Sequence, residues 1–331
     1  MAVTTRNDFR SVLRNRVVWL FAGFLLLANS LLLILGRDAL PIGLAGESGG
    51  GNVLLFVSTG VFYALMLGVV HLVTRKRERP DFAARTPGQR VAGLETLWLW
   101  VYALVALAIL GLGFNVGLHL PGTIFQPDTR LAVSDTLVWA AVNFVLFAAL
   151  PYLVFRLRGY SNADLSLHSS NLRADILLIV TVLLVESIGE WFGIPDGFRF
   201  FELTPSQIVT GGSLTLLLHL VGTGIPIMLF VQSILVPRYL KLTNSVTTSV
   251  ILGGVSYATF HLFEFWTLYG SFEAALVSLL FVYLQFTGAG MIKAFMTLRS
   301  GNAWTHLWGY HVIAPHLWMD TILIVTAFGI L

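Results

Sequence analysis

The sequence predicts an all-α protein, a polytopic bundle of about nine helices that span a membrane. Composition is the first reason: 56% of the residues are hydrophobic, only 11% are charged, and the mean hydropathy is +0.81. A soluble domain has about 25% charged residues. Length is the second reason, because a helix crosses the hydrocarbon core with about 20 apolar residues. The chain of 331 residues has room for about eight or nine such helices.

Nine apolar segments follow one another along the chain. They are roughly residues 17–36, 53–74, 94–117, 132–155, 174–193, 209–236, 246–267, 272–297 and 303–331. With the N-terminus inside, 17 of the 20 Lys and Arg residues belong to the inner side, Lys293 among them, and only Arg37, Arg130 and Arg199 to the outer side. This alternation follows the positive-inside rule and predicts a cytoplasmic N-terminus.

The same alternation explains the pI of about 9.3 without nucleic acid as a partner. The first segment is longer than the apolar region of a signal peptide, which indicates an uncleaved signal anchor. The chain has no cysteine, so disulfides, thiol nucleophiles and iron–sulfur clusters are excluded.

The two halves of the chain differ in their polar residues. Residues 1–160 are predicted to be N-terminal membrane helices that act as anchor and scaffold, with His71 and His119 as interfacial anchors near segment ends. Residues 161–331 are predicted to form a membrane core. This core contains the candidate histidine, glutamate and aspartate site, whose residues begin at about residue 174. Ionisable residues inside a membrane helix are costly and indicate a functional site.

The ionisable residues of these segments are expected at similar depths in the membrane. A rise of 1.5 Å per residue from the inner surface puts them roughly 12–27 Å deep, in the middle or outer half of the membrane. They are Glu186, Glu190, His219, His261, Glu264, His311, His316 and Asp320. The common level predicts one site.

Two pairs, one in the fifth segment and one in the seventh, have spacings that place both members on one face. Glu186 and Glu190 are i and i+4, and their carboxylates repel in a low dielectric unless a cation or donor lies between them. Alternatively, Glu190 lies at the outer interface and Glu186 alone is buried. His261 and Glu264 are i and i+3. They can serve as two metal ligands, as a metal ligand with a general base, or as a hydrogen-bonded structural pair.

The last segment has the densest set of candidates. His316 and Asp320 are i and i+4, whereas His311 lies about 140° away on an ideal helix unless Pro315 kinks the chain. His306, beside Trp304, is interpreted as an inner interfacial anchor. In the sixth segment, residues 222–226 (Gly-Thr-Gly-Ile-Pro) predict a broken or closely packed helix.

Two motifs in residues 210–320 resemble those of the CPBP (CAAX protease and bacteriocin-processing) family of intramembrane metalloproteases. Residues 257–261, Tyr-Ala-Thr-Phe-His, resemble the FxxxH motif, and residues 316–320, His-Leu-Trp-Met-Asp, resemble HxxxN/D. Residues 298–304 resemble the turn before the last motif helix. Where the family has EExxxR, this chain has Gln232 and Ser233, and Arg238 comes one residue late.

The resemblance implies a metal-dependent hydrolase, protease-like, in a bacterial or archaeal inner or plasma membrane. Its substrate would be a membrane-associated hydrophobic peptide or a lipid-like molecule, and its cofactor a divalent metal, with zinc favoured. The metal-ligand candidates are His261, His311, His316, Asp320 and Glu190. Because an amide cannot act as a base near neutral pH, Glu264 or Glu186 is expected to activate water.

Two other classes of function stay open. An iron-dependent membrane oxidoreductase or hydroxylase would also use a mixed set of histidines and carboxylates. A non-catalytic family member that binds a membrane partner would need no metal. The sequence does not distinguish zinc, iron and no metal.

Overall fold

The computed structural model describes residues 12–35, 49–120, 131–193 and 199–331. Within these ranges the chain forms ten helices and no strand, which confirms the all-α class. The helices are α1 Arg16–Leu35, α2 Gly49–Thr74, α3 Phe82–Arg85, α4 Gln89–Gly113, α5 Val133–Leu157, α6 Leu172–Gly193, α7 Pro205–Thr243, α8 Val246–Thr259, α9 Phe272–Ser300 and α10 Trp304–Phe328.

Seven of these helices are long and apolar enough to cross a membrane, namely α1, α2, α4, α5, α7, α9 and α10. The chain is therefore a multi-pass helical membrane protein, and the seven spans among the described residues come near the expected count of about nine. The expected seventh segment, 246–267, yields only the 14 residues of α8, because turns and irregular backbone follow Thr259. The fifth segment forms α6, whose 22 residues include Asp175, Glu186 and Glu190.

The C-terminal helices form the interior of the bundle. In the most apolar window of α7, 67% of the residues are buried, and in that of α9, 56%. The corresponding values for α1 and α2 are 11% and 17%, so these two helices turn most of their apolar surface outward, toward lipid. Helix α9 packs against α8, α2 and α10. A polar group on α7, α9 or α10 can therefore be sheltered from lipid on several sides.

Helix α7 contains two π-helical stretches, Leu220–Gly224 and Met228–Leu235. The sequence predicted a broken or closely packed helix here, and the structure shows close packing in a chain that stays helical. Gly222 lies against the ring of Trp139, and a Cβ atom on Gly222 would collide with that ring. Such π-helical turns are frequent at functional sites.

Buried ion pairs join the helices. The guanidinium of Arg238 on α7 lies 2.7 Å from Glu95 on α4, and Arg158 lies 2.9 Å from the same carboxylate. The Tyr160 hydroxyl donates to Glu95 over 2.8 Å, and burial followed by this hydrogen bond raises the pKa of Tyr160. Removing one member of a buried pair typically costs about 3–5 kcal/mol. Arg238 thus has a structural role in addition to its topological one.

Candidate functional site

A short irregular segment, residues 115–120, follows α4 and enters the interior of the bundle. Two side chains of α5 hold its carbonyl groups: Trp139 donates to the oxygen of Leu118 over 3.1 Å, and Asn143 donates to that of Gly117 over 3.0 Å. Irregular backbone at membrane depth requires protein partners of this kind. The result is a fixed loop whose N–H groups can bind an anion.

The carboxylate of Glu264 is that anion. Its Oε1 accepts the backbone N–H groups of Leu118 and His119 over 3.1 and 3.2 Å, and lies 3.2 Å from Nδ1 of the His119 ring. Gly117 lets the carboxylate approach, since a Cβ atom at this position would collide with Oε2. Glu264 therefore fixes the position of His119.

His119, His261 and Glu264 form the first triad, with one ligand atom from each residue within 4.8 Å of the others and all three side chains buried. Nδ1 of His261 lies 2.8 Å from the carbonyl oxygen of Tyr257, so Nδ1 donates and Nε2 has the lone pair. This Nε2 is buried and has no hydrogen-bond partner among the described residues. Metal-binding histidines are oriented in this way by a carbonyl or carboxylate.

His219, His316 and Asp320 form the second triad, which meets the same 4.8 Å criterion and is also buried. Asp320 Oδ2 lies 3.0 Å from Nδ1 of His316 and 3.2 Å from Nε2 of His219. The two imidazole rings stack with centroids 4.2 Å apart and an angle of 11°. One carboxylate thus orients two histidines.

The two triads are neighbours, because the ring centroids of His119 and His316 are 5.9 Å apart. Both adjoin a cavity of about 140 Å³ inside the bundle. Its charged and imidazole lining consists of His119, Glu186, Glu190, Lys293, His311, His316 and Asp320.

Most of the site residues expected from the sequence lie in or beside this cavity. Glu186 and Glu190 both line it: Glu186 is buried, whereas Glu190 is partly exposed but has a buried Oε2 atom. His261 borders it through His119, with ring centroids 4.7 Å apart. His311 reaches it because the chain leaves the helix at 310–312 and resumes as a π-helical stretch, Ile313–Trp318, around Pro315.

Three expectations are corrected. His119 is not an interfacial anchor, since it is buried in the first triad. His306 is fully buried, 6.1 Å from His311 between ring centroids, and both its nitrogens lack partners among the described residues. Lys293 is not an inner-loop charge but a buried residue of α9 that lines the cavity. Its position inside the apolar segment 272–297 was the available signal.

The segment that aligns with EExxxR provides no carboxylate at the cavity. Gln232 is fully buried, and neither amide atom has a partner among the described residues. Ser233 donates to the carbonyl oxygen of Leu165, and Arg238 is paired with Glu95.

The fold and the site define a multi-pass helical membrane protein with a buried histidine–carboxylate centre. Comparisons with family models, with curated proteins and with solved structures give no match. Function is therefore inferred from the site.

Proposed function

We propose that this protein is an intramembrane metal-dependent hydrolase that cleaves a membrane-associated peptide or lipidated substrate. The observation that supports it most is the buried Nε2 of His261, whose partner is missing while Nδ1 is engaged by Tyr257. A catalytic zinc site has three protein ligands and one open position, and the first triad offers three ligands.

The residues fit a divalent metal, with zinc favoured and iron as the alternative. His119, His261 and Glu264 would hold it, and the second triad lies close enough to contribute His316. When bound, the metal would polarise the scissile carbonyl group. His311, Asp320 and Glu190, expected as ligands, lie on the cavity wall and would take part as ligands or as their supports.

Glu186 is the better of the two candidates for the base that takes a proton from water. Its Oε2 is buried without a hydrogen-bond partner among the described residues, and its side chain lines the cavity. Glu264 already accepts the N–H groups of Leu118 and His119. Of the two, Glu186 therefore presents a carboxylate oxygen that is not already engaged, as a base requires.

A second candidate is supported by the contact between the triads. Four histidines and two carboxylates in adjoining groups suit two irons, as in a membrane oxidoreductase or hydroxylase. The missing glutamates at Gln232 and Ser233 favour the third class, a non-catalytic protein that binds a membrane partner.

Metal analysis of the purified protein separates these classes. We expect about one zinc per chain. About two irons per chain would assign the oxidoreductase class, and no metal in either the purified or the metal-supplemented protein would assign the binding class. Glu186→Gln should keep the metal and lose turnover of a membrane peptide substrate, whereas Gln232→Ala should keep both. Loss of activity in Gln232→Ala with full activity in Glu186→Gln and in Glu264→Gln would contradict the assignment of a glutamate base.

The topology belongs to the same proposal, with the N-terminus in the cytoplasm of a bacterial or archaeal cell. The supporting observation is the distribution of basic residues in the sequence: with the buried Lys293 set aside, 16 belong to the inner side and three to the outer side. This topology requires α6 to cross the membrane in addition to the seven apolar helices, so reporter fusions after Arg90 and after Arg199 should report opposite sides of the membrane. Finding both on one side would contradict it.

A further inference from the structure

Lys293 is a buried amine that shares a cavity with Glu186 and Glu190 but is in contact with neither carboxylate. It lies on α9 with 2% of its surface exposed, and its Nζ sits 3.7 Å from the ring centroid of Tyr257. Among the described residues it forms no ion pair, although it lines the cavity. A charged group inside a membrane protein is costly unless it is paired. The position calls for an anion.

Glu186 and Glu190 have buried acceptor oxygens that lack a hydrogen-bond donor. They project from α6 into the same cavity, and each has an Oε2 atom that is buried and has no hydrogen-bond partner among the described residues. Unsatisfied buried acceptors cost roughly 1–3 kcal/mol each, and more when charged. These two oxygens call for a group that donates hydrogen bonds.

Lys293 and the two glutamates thus share the cavity without a contact between them, and one molecule with a group of each charge can bridge the gap. We propose that the cavity binds a zwitterionic head group with a primary ammonium and a phosphate or carboxylate. The anion pairs with Lys293, and the ammonium donates to Glu186 and Glu190. Tyr63 and Tyr310 provide further aromatic walls, which suit an ammonium group through the negative faces of their rings.

This chemistry has two sources, a membrane lipid of the phosphatidylethanolamine class and a free zwitterion. The arrangement distinguishes a primary ammonium from a trimethylated one, because the latter has no N–H to donate to the two glutamates. The inference does not rest on the proposed hydrolase activity, since binding requires only Lys293 and the glutamates.

The test is equilibrium binding of radiolabelled lysophosphatidylethanolamine to the purified full-length protein in detergent, measured as isolated and after metal chelation. We expect binding in both states, with lysophosphatidylcholine at least about tenfold weaker, as the loss of a charge-assisted hydrogen bond predicts. Lys293→Met and Glu190→Gln should each weaken binding by about tenfold or more. Lys293→Arg, which keeps the charge, should bind more tightly than Lys293→Met.

Matched controls lie outside the cavity. Lys241→Met removes a lysine whose Nζ contacts the carbonyl of Ala83, and Glu273→Gln alters an exposed glutamate in the first turn of α9. Both should bind as the wild type. If Lys293→Met is not monodisperse on gel filtration, the binding measured for Glu190→Gln and Lys293→Arg tests the proposal. Glu190→Gln should then bind more weakly than the wild type, and Lys293→Arg should retain binding.

Unlabelled O-phosphoethanolamine separates the two sources of the ligand. Competition by this soluble molecule assigns a free zwitterion, and lack of competition assigns the lipid. Equal binding of the ethanolamine and choline lipids, unchanged binding in Lys293→Met, or no binding of either probe would overturn the proposal.

Discussion

The two triads are built in different ways from the same residue types. In the first, Glu264 is held by backbone N–H groups of the irregular segment 115–120, so the backbone and the ligands depend on each other. In the second, Asp320 is hydrogen-bonded to His316 on the same helix, α10, and lies 3.2 Å from Nε2 of His219 on α7. The first triad therefore joins metal binding to local folding, whereas the second is an arrangement of side chains on helices. Substitutions should separate these two designs.

The largest effect is expected from removing a histidine of the first triad. His261→Ala deletes the buried Nε2 atom that has no hydrogen-bond partner among the described residues. It should lower metal affinity by more than about 100-fold, because supporting residues alone typically contribute roughly 10–100-fold. His316→Ala should also lower it. Metal content by mass spectrometry is the measurement, with His71→Ala as the control, since His71 is exposed on α2. Unchanged metal in both variants would exclude a metalloenzyme.

The carboxylates come next. Glu264→Gln places an amide N–H₂ toward backbone donors, so it should lower metal affinity by about 10–100-fold and also destabilise the fold by about 1–3 kcal/mol. In Asp320→Asn the amide oxygen can still accept from His316, so metal affinity should fall similarly with a smaller loss of stability. Thermal unfolding in detergent separates the two. If Glu264→Gln and Asp320→Asn destabilise the fold equally, the first triad is no more closely joined to local folding than the second.

A substitution at Gly117 should affect the first triad and not the second. Gly117→Ala forces a Cβ atom against Glu264 and should cost about 1–3 kcal/mol of stability, as overpacking does. Gly113→Ala is the matched control, because nothing lies within 4 Å of its added Cβ. If both alanine variants unfold at the same temperature as the wild type, segment 115–120 is not the rigid support inferred here.

The smallest effect is expected at the hydrogen bond that holds this segment from outside. Trp139→Phe removes the indole donor to the carbonyl of Leu118 and should cost about 0.5–1.5 kcal/mol, with a slight fall in metal content. Trp98→Phe provides the comparison, since Trp98 is 69% exposed. A larger loss in Trp98→Phe than in Trp139→Phe would contradict the proposed support.

The sequence predicted the second triad better than the first. His316 and Asp320 are one helical turn apart, so local periodicity is enough to place them on one face. His119 could not be found in that way, because its position depends on an irregular turn after α4 and on Glu264, 145 residues later. Lys293 was taken as a topological charge although it lies within an apolar segment. Hydropathy predicted the all-α class, but it did not predict that α8 ends at Thr259.

The dependence of segment 115–120 on Glu264 also has a consequence for synthesis. His119 leaves the ribosome 145 residues before the carboxylate that accepts its N–H. At about 5–20 residues per second, this interval is roughly 7–30 s. During that time the N–H groups of Leu118 and His119 lack their native acceptor, so this part of the chain has to wait in water, in the insertion machinery or at the membrane surface. The centre is completed only when the second half of the chain has been inserted.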